Sequence, residues 1–276
     1  MMTSASPPSD SQLAEYDFLG HLAALETLPD FEAAVAPYCS QVFETQSVLA
    51  VRYYRDRQPD VLFRWIPGAA LRQTFDSYYR GLGFMLDPFY QLALRSPDFA
   101  VHQLREIAPD RFETSEYFAT YFGTTQMVDE LGATLRLDAD SAVHLSLGRS
   151  AGHKRFPARQ VRHFKLLARA IMPKLRAVAL QADPSRQAAP GFVDLHLRFR
   201  NLRIAGQAAL SDRQAEIAAL IVQGHSSRAI GLKLAISEQT VKVHRRNIFK
   251  KLGISSQSQL FDLLISGLSH LAAETG

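Results

Sequence analysis

A very short connection between two helices is the feature that most constrains how this chain folds. Ser226 is placed to cap one helix and Ser237 to cap the next, because a serine before a helix accepts a hydrogen bond from the first turn. Only Ala235 and Ile236 separate the end of the first helix from the second cap. Such a short turn sets two helices at a steep angle, so the pattern predicts a helix-turn-helix unit.

Two more helix signals flank this unit. Ser211 with Gln214, and Ser256 with Gln259, have the capping-box pattern that opens a helix. The C-terminal part of the chain is therefore predicted to be an all-α, four-helix domain over residues 210–270.

The third of these helices is predicted to have one apolar face and one basic face. At about 100° per residue, Val241, Ile248 and Leu252 share one side. The opposite side carries Lys242, Val243, Arg246, Asn247 and Lys250. Residues 207–276 hold eight Lys and Arg against five Asp and Glu, which suits contact with a phosphate backbone. A solvated helix face is the alternative interpretation of the charge alone.

Composition narrows the class of protein. The chain has 276 residues, of which 47% are hydrophobic, enough for one or two packed domains. Its single cysteine, Cys39, excludes an internal disulfide framework and a cysteine-based zinc site, and neither a metal nor a cofactor is expected. The sequence lacks a secretory signal pattern and a long apolar run. We therefore expect a cytoplasmic protein without a membrane partner.

The first 180 residues alternate between helical and strand-like patterns. Strand-like runs at 47–54 and 60–66, and again at 132–137 and 141–148, are neighbours in sequence, as in hairpins. Adjacent hairpin strands favour an antiparallel sheet over a parallel one. Helical patterns surround these runs at 13–45, 69–82, 88–95, 112–122 and 158–180. The predicted class is α+β with two domains, the first an α/β/α sandwich over residues 13–180.

Two segments are predicted to lie outside the domains. Residues 1–12 are rich in Ser, Pro and Asp and are expected to be disordered. Residues 181–209, with their Pro, Gly and small residues, are expected to form a linker that contains a short amphipathic stretch.

Residues 210–261 resemble the LuxR-type helix-turn-helix of bacterial transcription regulators. The matching positions are Leu210, Ser211, Arg213, Glu216, Ile217, Gly224, Ser226, Ile230, Leu234, Ile236, Ser237, Thr240, Val241, Lys242, His244, Asn247, Ile248, Lys251, Leu252 and Gly253. The resemblance implies that the third helix reads bases in the major groove and that the fourth forms a dimer contact.

The same resemblance assigns roles to single residues. Lys242, Val243 and Arg246 match base-contacting positions, and Arg or Lys can donate to guanine while Val243 can meet a thymine methyl group. The positions that match or suit phosphate contacts are Ser226, Ser237, Thr240, His244, Lys250 and Lys251. For His244, a partly buried structural role is the alternative. The sequence departs from the common pattern at Gln214, Ala229, Gly231 and Gln257, and none of these is a base-reading position.

The first domain has a shorter resemblance to the autoinducer-binding domain of LuxR quorum sensors. Tyr78 and Asp87-Pro88 have the spacing of that family's pocket tyrosine and aspartate, although Thr74 stands where the family has a ligand-binding tryptophan. A GAF- or PAS-like domain is the alternative, since residues 156–178 resemble its last helix. The candidate ligand-binding residues are Tyr54, Trp65, Phe75, Tyr78, Tyr79, Asp87 and Tyr90. Aromatic rings around one carboxylate suit an amine- or amide-bearing ligand, whereas an ordinary aromatic core is the competing interpretation.

These patterns lead to two hypotheses of function. The first is a ligand-responsive transcription regulator, similar to the quorum sensors, that binds two-fold symmetric promoter DNA as a homodimer. The second is a ligand-independent regulator whose N-terminal domain only dimerises or binds a protein partner. An enzyme is disfavoured because the sequence has no G-x-S-x-G elbow, phosphate-binding loop, dinucleotide fingerprint or H-E-x-x-H motif.

Overall fold

A computed structural model describes residues 9–79, 83–95, 98–181, 194–202 and 208–264 of the chain. The strands are β1 (Ser47–Tyr54), β2 (Asp60–Trp65), β3 (Phe99–Gln103), β4 (Met127–Arg136) and β5 (Ser141–Ser150). The helices are α1 (Asp10–Ala24), α2 (Leu28–Phe43), α3 (Ala69–Thr74), α4 (Pro88–Arg95), α5 (Leu104–Ile107), α6 (Ala158–Gln181), α7 (Leu195–Asn201), α8 (Asp212–Val222), α9 (Ser227–Leu234) and α10 (Glu238–Leu252). Residues 257–264 are also helical and are called α11.

The five strands form one antiparallel sheet in the order β2-β1-β5-β4-β3. Both hairpins expected from the sequence are present, as β1–β2 and β4–β5. Strand β3 was not predicted: it is a five-residue edge strand that follows a Ser-Pro pair and pairs only with β4. Its short length gives little periodic signal.

One face of the sheet packs on the long helices. Because side chains alternate along a strand, Val48 and Ala50 of β1 share this face with Val143, Leu145 and Leu147 of β5. Helices α1, α2 and α6 cover them with the buried side chains Phe18, Phe31, Val35, Phe164, Ile171 and Leu175. This layer is an apolar core.

The other face of the sheet is covered by short, aromatic-rich segments. These are α3, the π-helical segments Phe75–Tyr79 and Phe118–Gly123, the 3₁₀ turn Gly83–Leu86, and α4. The sequence predicted regular helices over 69–82 and 112–122. The structure instead widens both into π-helical turns, an arrangement that often marks a functional site. Helices on both faces confirm the α/β/α sandwich, and an all-α domain follows it.

Helix α1 starts three residues inside the segment predicted to be disordered, and α7 lies in the predicted linker, where a short amphipathic stretch was expected. Helix α1 begins at Asp10 because Ser9 and Gln12 form a reciprocal capping box. Helix α7 lies within 181–209, where Asp194 caps it and Leu195 and Phe199 are buried against the C-terminal domain. In the described residues, no helix is both long and apolar enough to span a bilayer.

Candidate functional sites

The four helices of the C-terminal domain start where their caps were predicted. Ser211 and Gln214 form the reciprocal capping box at α8. The hydroxyl of Ser226 accepts from the Ala229 N–H at 3.1 Å, and that of Ser237 accepts from the Thr240 N–H at 2.9 Å. The predicted helix starts are therefore confirmed, and α9 and α10 form the predicted helix-turn-helix.

Helix α10 has the two faces that its sequence predicted. Val241, Ile248 and Leu252 are buried against the other helices of the domain. Lys242 and Arg246 are exposed on the far side, and Val243 between them is 38% exposed. The Lys242 ammonium lies 2.7 Å from Glu238 one turn earlier, which orders this side chain at the start of α10.

Four of the candidate phosphate-contacting residues belong to α10 or its cap and have free surface. Ser237 and Thr240 are exposed at the start of the helix, with 2.7 Å between their hydroxyl oxygens. Lys250 is exposed near the end, and His244 is half-buried. They lie along the border of the face that carries Lys242. One surface therefore carries both the candidate base contacts and the candidate phosphate contacts.

The half-buried Lys251 is tied to the rest of the domain by two hydrogen bonds. Its ammonium donates to the Ala209 carbonyl at 3.1 Å and to Gln214 Oε1 at 2.9 Å. Lys251 thereby ties the end of α10 to the start of α8. Gln257, another departure from the common pattern, donates to the Ile221 carbonyl at 2.9 Å and links α11 to α8. Amide hydrogen bonds thus hold the domain at two positions where the pattern differs.

The turn between α9 and α10 contains a backbone conformation that L-residues disfavour. Ala235 ends α9 in the left-handed region with φ of 53°, and its N–H bonds the Gly231 carbonyl. A side chain there raises the free energy of the folded state by roughly 1 kcal/mol. We expect Ala235→Gly to stabilise the full chain by about 0.5–1 kcal/mol in urea unfolding.

The matched control for that change is Ala229→Gly, in the first turn of α9, where the backbone is right-handed. It should destabilise the domain by roughly 0.5–1 kcal/mol. Equal effects of the two glycines would refute the argument from conformation.

A second site is a buried polar cluster between the sheet and the short helices. Asp87, just before α4, accepts from the hydroxyls of Tyr53 and Tyr79 through one oxygen, the Tyr53 bond being 3.1 Å long. Its other oxygen accepts from the Phe89 N–H at 2.8 Å. Burial raises the pKa of Asp87 to about 6 despite these bonds. The carboxylate therefore organises two tyrosines and the first turn of α4.

Glu130 of β4 faces the same space from the sheet and bonds the Ser146 hydroxyl. Burial, assisted by the nearby Asp87, raises its pKa to about 8. Burial also lowers the pKa of His144 to about 3, and the Nε2 atom of this ring has no hydrogen-bond partner among the described residues. At neutral pH the cluster thus holds a protonated Glu130 and an uncharged His144.

A small cavity lies at the centre of this cluster. Its volume is about 20 Å³, and its polar lining comes from Asp87, Glu130, His144, Ser47, Ser146, Tyr79, Tyr117 and Tyr121. Such a volume is enough for roughly one water molecule. The site is polar and enclosed, but it is nearly filled by its own side chains.

The structure places the sequence-predicted ligand residues in several environments. Tyr79 and Asp87 line the cavity, and Phe75 stacks on Tyr79 with 5.1 Å between ring centroids. Tyr54 bonds Asp60 at 2.7 Å, outside the cavity. Trp65 packs with the apolar core on the opposite face of the sheet.

Tyr78 and Tyr90 lie beside the cavity and not in it. The ring of Tyr78 faces Phe261 of α11 at 6.5 Å, and Tyr90 lines an open cleft beside α8 and α9. Both tyrosines thus face the C-terminal domain, and only Tyr79 and Asp87 of the candidate set line the cavity itself.

Sequence reasoning missed several residues of the cluster, foremost Glu130, His144 and Ser146. In β5 the polar His144 and Ser146 alternate with Val143, Leu145 and Leu147, a pattern typical of a strand with one solvated face. The signal was present, but only the helical layer over the sheet shows that this face is buried.

Comparisons with known proteins agree with this architecture. Residues 208–264 match the family model "Bacterial regulatory proteins, luxR family". A putative HTH-type transcriptional regulator in the exeN 3′ region of Aeromonas salmonicida is 25% identical over 186 residues, which cover 66% of this chain and 94% of that relative. The response regulator protein TmoT of Ectopseudomonas mendocina is 43% identical over 90 residues, 33% of this chain and 37% of TmoT.

The N-terminal domain also resembles a solved structure. The VqsR LBD domain of Pseudomonas aeruginosa superposes with a TM-score of 0.51 and 26% sequence identity, covering 62% of this chain and 99% of that one. The first domain thus has the fold of a ligand-binding-like regulator domain. Residues 208–264 thus form a helix-turn-helix domain of the luxR type, and the chain is similar to transcriptional regulators over this domain and, through the Aeromonas relative, over 66% of its length.

Proposed function

We propose that this regulator binds two-fold symmetric promoter DNA as a homodimer, with α10 of each protomer in the major groove. The observation that supports this proposal is the exposed face of α10, where Lys242, Val243 and Arg246 stand opposite the buried stripe. A helix with one anchored and one basic face is the element that helix-turn-helix proteins insert among base edges. Two copies place two such helices on successive half-sites.

Arg246→Ala is expected to weaken binding to the preferred site by about 1–3 kcal/mol and to relax the preference at one base pair. The reason is the loss of a guanidinium that donates to a guanine edge. Titration of a fluorescent duplex and of its single-base variants measures both effects.

Lys250→Ala is the matched control, because it removes a cation from the same helix at a candidate phosphate contact. It should weaken all duplexes equally and lower the salt dependence of binding by about one counterion. If Arg246→Ala behaves in the same way as Lys250→Ala, the assignment of base reading to Arg246 is wrong.

We further propose that the cluster around Asp87 and Glu130 senses a small effector with amine or amide N–H groups. The cavity is lined by the carboxyl groups of Asp87 and Glu130 and walled by tyrosines, a chemistry that can recognise such donors once the internal hydrogen bonds give way. Ligand pockets usually hold roughly 300–1,000 Å³, so the effector has to displace the side chains that fill this one. Tyr117 precedes the π-helical segment Phe118–Gly123 and Tyr121 lies within it, and we propose that these two side chains give way to the effector.

One observation favours the second candidate, a ligand-independent regulator. The cavity of about 20 Å³ is closed, and both oxygens of Asp87 already accept hydrogen bonds within the protein. A thermal-shift screen of amines, amides and lactones separates the two candidates. An effector at 100 times its Kd adds about 2.7 kcal/mol to the stability, whereas a ligand-independent domain gives no shift with any compound.

The proposed function as a whole is tested by selecting genomic DNA fragments with the purified full chain, with and without cell extract. Enrichment of one symmetric site supports the dimeric regulator. Enrichment only with extract indicates that a small molecule or partner controls binding. No enrichment at low salt under either condition contradicts the proposal.

A further inference from the structure

The C-terminal domain is docked on the N-terminal domain through the turn between α8 and α9. The Arg111 N–H donates to the Gly224 carbonyl at 3.0 Å. Gly224 has φ of 93°, and a Cβ on it would come within 3.3 Å of the backbone of Arg111 and Phe112. The absence of a side chain thus lets the two domains meet backbone to backbone. We call residues 109–116 of the first domain the docking loop.

The docking loop places a carboxylate on the N-terminal end of α9. Asp110 Oδ1 accepts from the Ser226 backbone N–H at 2.9 Å. The hydroxyl oxygen of Ser226 accepts from the Ala229 N–H as the cap of α9, and its O–H together with the backbone N–H of Ser226 is hydrogen-bonded to Asp110. Burial alone would raise the pKa of Asp110, but the hydrogen bonds from Ser226 and from the backbone of Asp110, together with the nearby His225, lower it below its ordinary value. The group at this helix end is therefore an anion.

The start of a helix is a preferred position for an anion, because its first N–H groups are unpaired and the helix dipole is positive there. In a helix-turn-helix bound to DNA, the first helix of the pair crosses the phosphate backbone. Helix α9 is that helix in this chain, and Ser226 is its cap.

We propose that Asp110 takes the place of a DNA phosphate at the start of α9, so that the docking loop and the DNA backbone compete for the Ser226 N–H. This inference rests on the proposed DNA binding. A carboxylate and a phosphate cannot both bind the same N–H group, because the two anions would repel each other at that short distance. In the docked form α10 therefore stays exposed, but α9 cannot contact the phosphate backbone of the DNA.

The contacts around Asp110 make the docked form reversible. Burial lowers the pKa of Arg245 of α10 and of Lys233 of α9, and the charges of Arg111 and Arg95 in the first domain lower these pKa values further. Arg95 and Lys233 line the same cleft between the domains. The Tyr78 hydroxyl is buried without a hydrogen-bond partner in the described part of the chain. Release of the C-terminal domain relieves these unfavourable contacts, which offset the attraction at Asp110.

The docking loop contacts the C-terminal domain through a second carboxylate besides Asp110. Glu116 bonds the Ser258 hydroxyl at the start of α11. The docking loop thus presents two acidic groups to the DNA-binding domain, Asp110 at the start of α9 and Glu116 at the start of α11.

The test is the affinity of the full chain for its DNA after Asp110→Ala and Asp110→Asn. Removal of the competing anion should tighten binding about tenfold for Asp110→Ala, which corresponds to 1.4 kcal/mol. Asp110→Asn keeps an acceptor but loses the charge, so its effect should be intermediate. The control is Glu113→Gln, which removes one negative charge from the same loop where it contacts only Arg155.

A second readout does not depend on a variant. Hydrogen exchange of residues 109–116 in the wild-type chain should become faster when DNA is added, because DNA displaces the docking loop. Unchanged or weaker DNA binding by both Asp110 variants, an equal gain with Glu113→Gln, or unchanged exchange in the loop would each overturn the inference. If neither wild type nor variants bind any DNA while Arg246→Ala also changes nothing, the proposed function itself fails.

Discussion

Glu130→Gln is expected to make the chain progressively more stable than the wild type as the pH rises from 5 to 8. In the folded wild type, burial and the neighbouring Asp87 raise the pKa of Glu130 to about 8 from its ordinary value of 4.5. Between these values the folded state binds more protons than the unfolded state, so the stability supplied by this group falls as the pH rises. The slope approaches 1.4 kcal/mol per pH unit for one proton.

The expected gain of Glu130→Gln relative to wild type is therefore about 3 kcal/mol between pH 5 and pH 8. Glutamine keeps the size of the side chain and an acceptor for Ser146, but it has no proton to lose. Urea unfolding at several pH values gives the free energies of unfolding. Glu113→Gln, at an exposed carboxylate, is the control and should run parallel to the wild type. A constant difference between Glu130→Gln and wild type would mean that Glu130 is ionised in the folded protein.

The C-terminal domain could be predicted in detail because its signals are local. A serine cap acts within three residues and an apolar stripe repeats every turn, so Ser211, Ser226 and Ser237 identify helix starts without reference to the rest of the fold. The docking of this domain had no such signal. Asp110 and Ser226 are 116 positions apart, and nothing in the sequence near either of them indicates a partner.

In the N-terminal domain the correct segments were identified, but not always the correct faces. Adjacent residues of a strand point to opposite faces, so a choice between Tyr53 and Tyr54 decides whether a side chain enters the cluster. Tyr53 bonds Asp87 and His144, whereas Tyr54 bonds Asp60. The aromatic run 75–90 was correctly associated with Asp87, but Tyr79, and not Tyr78, is the tyrosine that reaches it.

Asp87→Ala is expected to destabilise the chain by about 3–5 kcal/mol, whether or not an effector binds. The substitution removes the carboxylate that accepts from the buried Tyr79 hydroxyl and Phe89 N–H, and it leaves the Tyr53 hydroxyl with His144 Nδ1 and the Tyr79 hydroxyl as partners. Each unsatisfied buried donor costs roughly 1–3 kcal/mol. Urea unfolding at pH 7 measures the loss. Asp60→Ala is the control, because Asp60 accepts a hydrogen bond from one tyrosine hydroxyl in a less buried place. This variant should lose no more than about 1 kcal/mol of stability.

This magnitude decides how a regulatory defect at Asp87 should be interpreted. A loss of several kcal/mol is a large part of the roughly 5–15 kcal/mol that stabilises an ordinary domain, so Asp87→Ala can abolish regulation by unfolding the sensor domain. Tyr79→Phe removes one hydroxyl and one contact to Asp87, and it should fold with a loss of about 1 kcal/mol. If Asp87→Ala is as stable as wild type but does not respond to an effector, the carboxylate serves effector binding. If instead both variants lose stability in proportion to the hydrogen bonds that each one removes, the role of Asp87 is to stabilise the sensor domain.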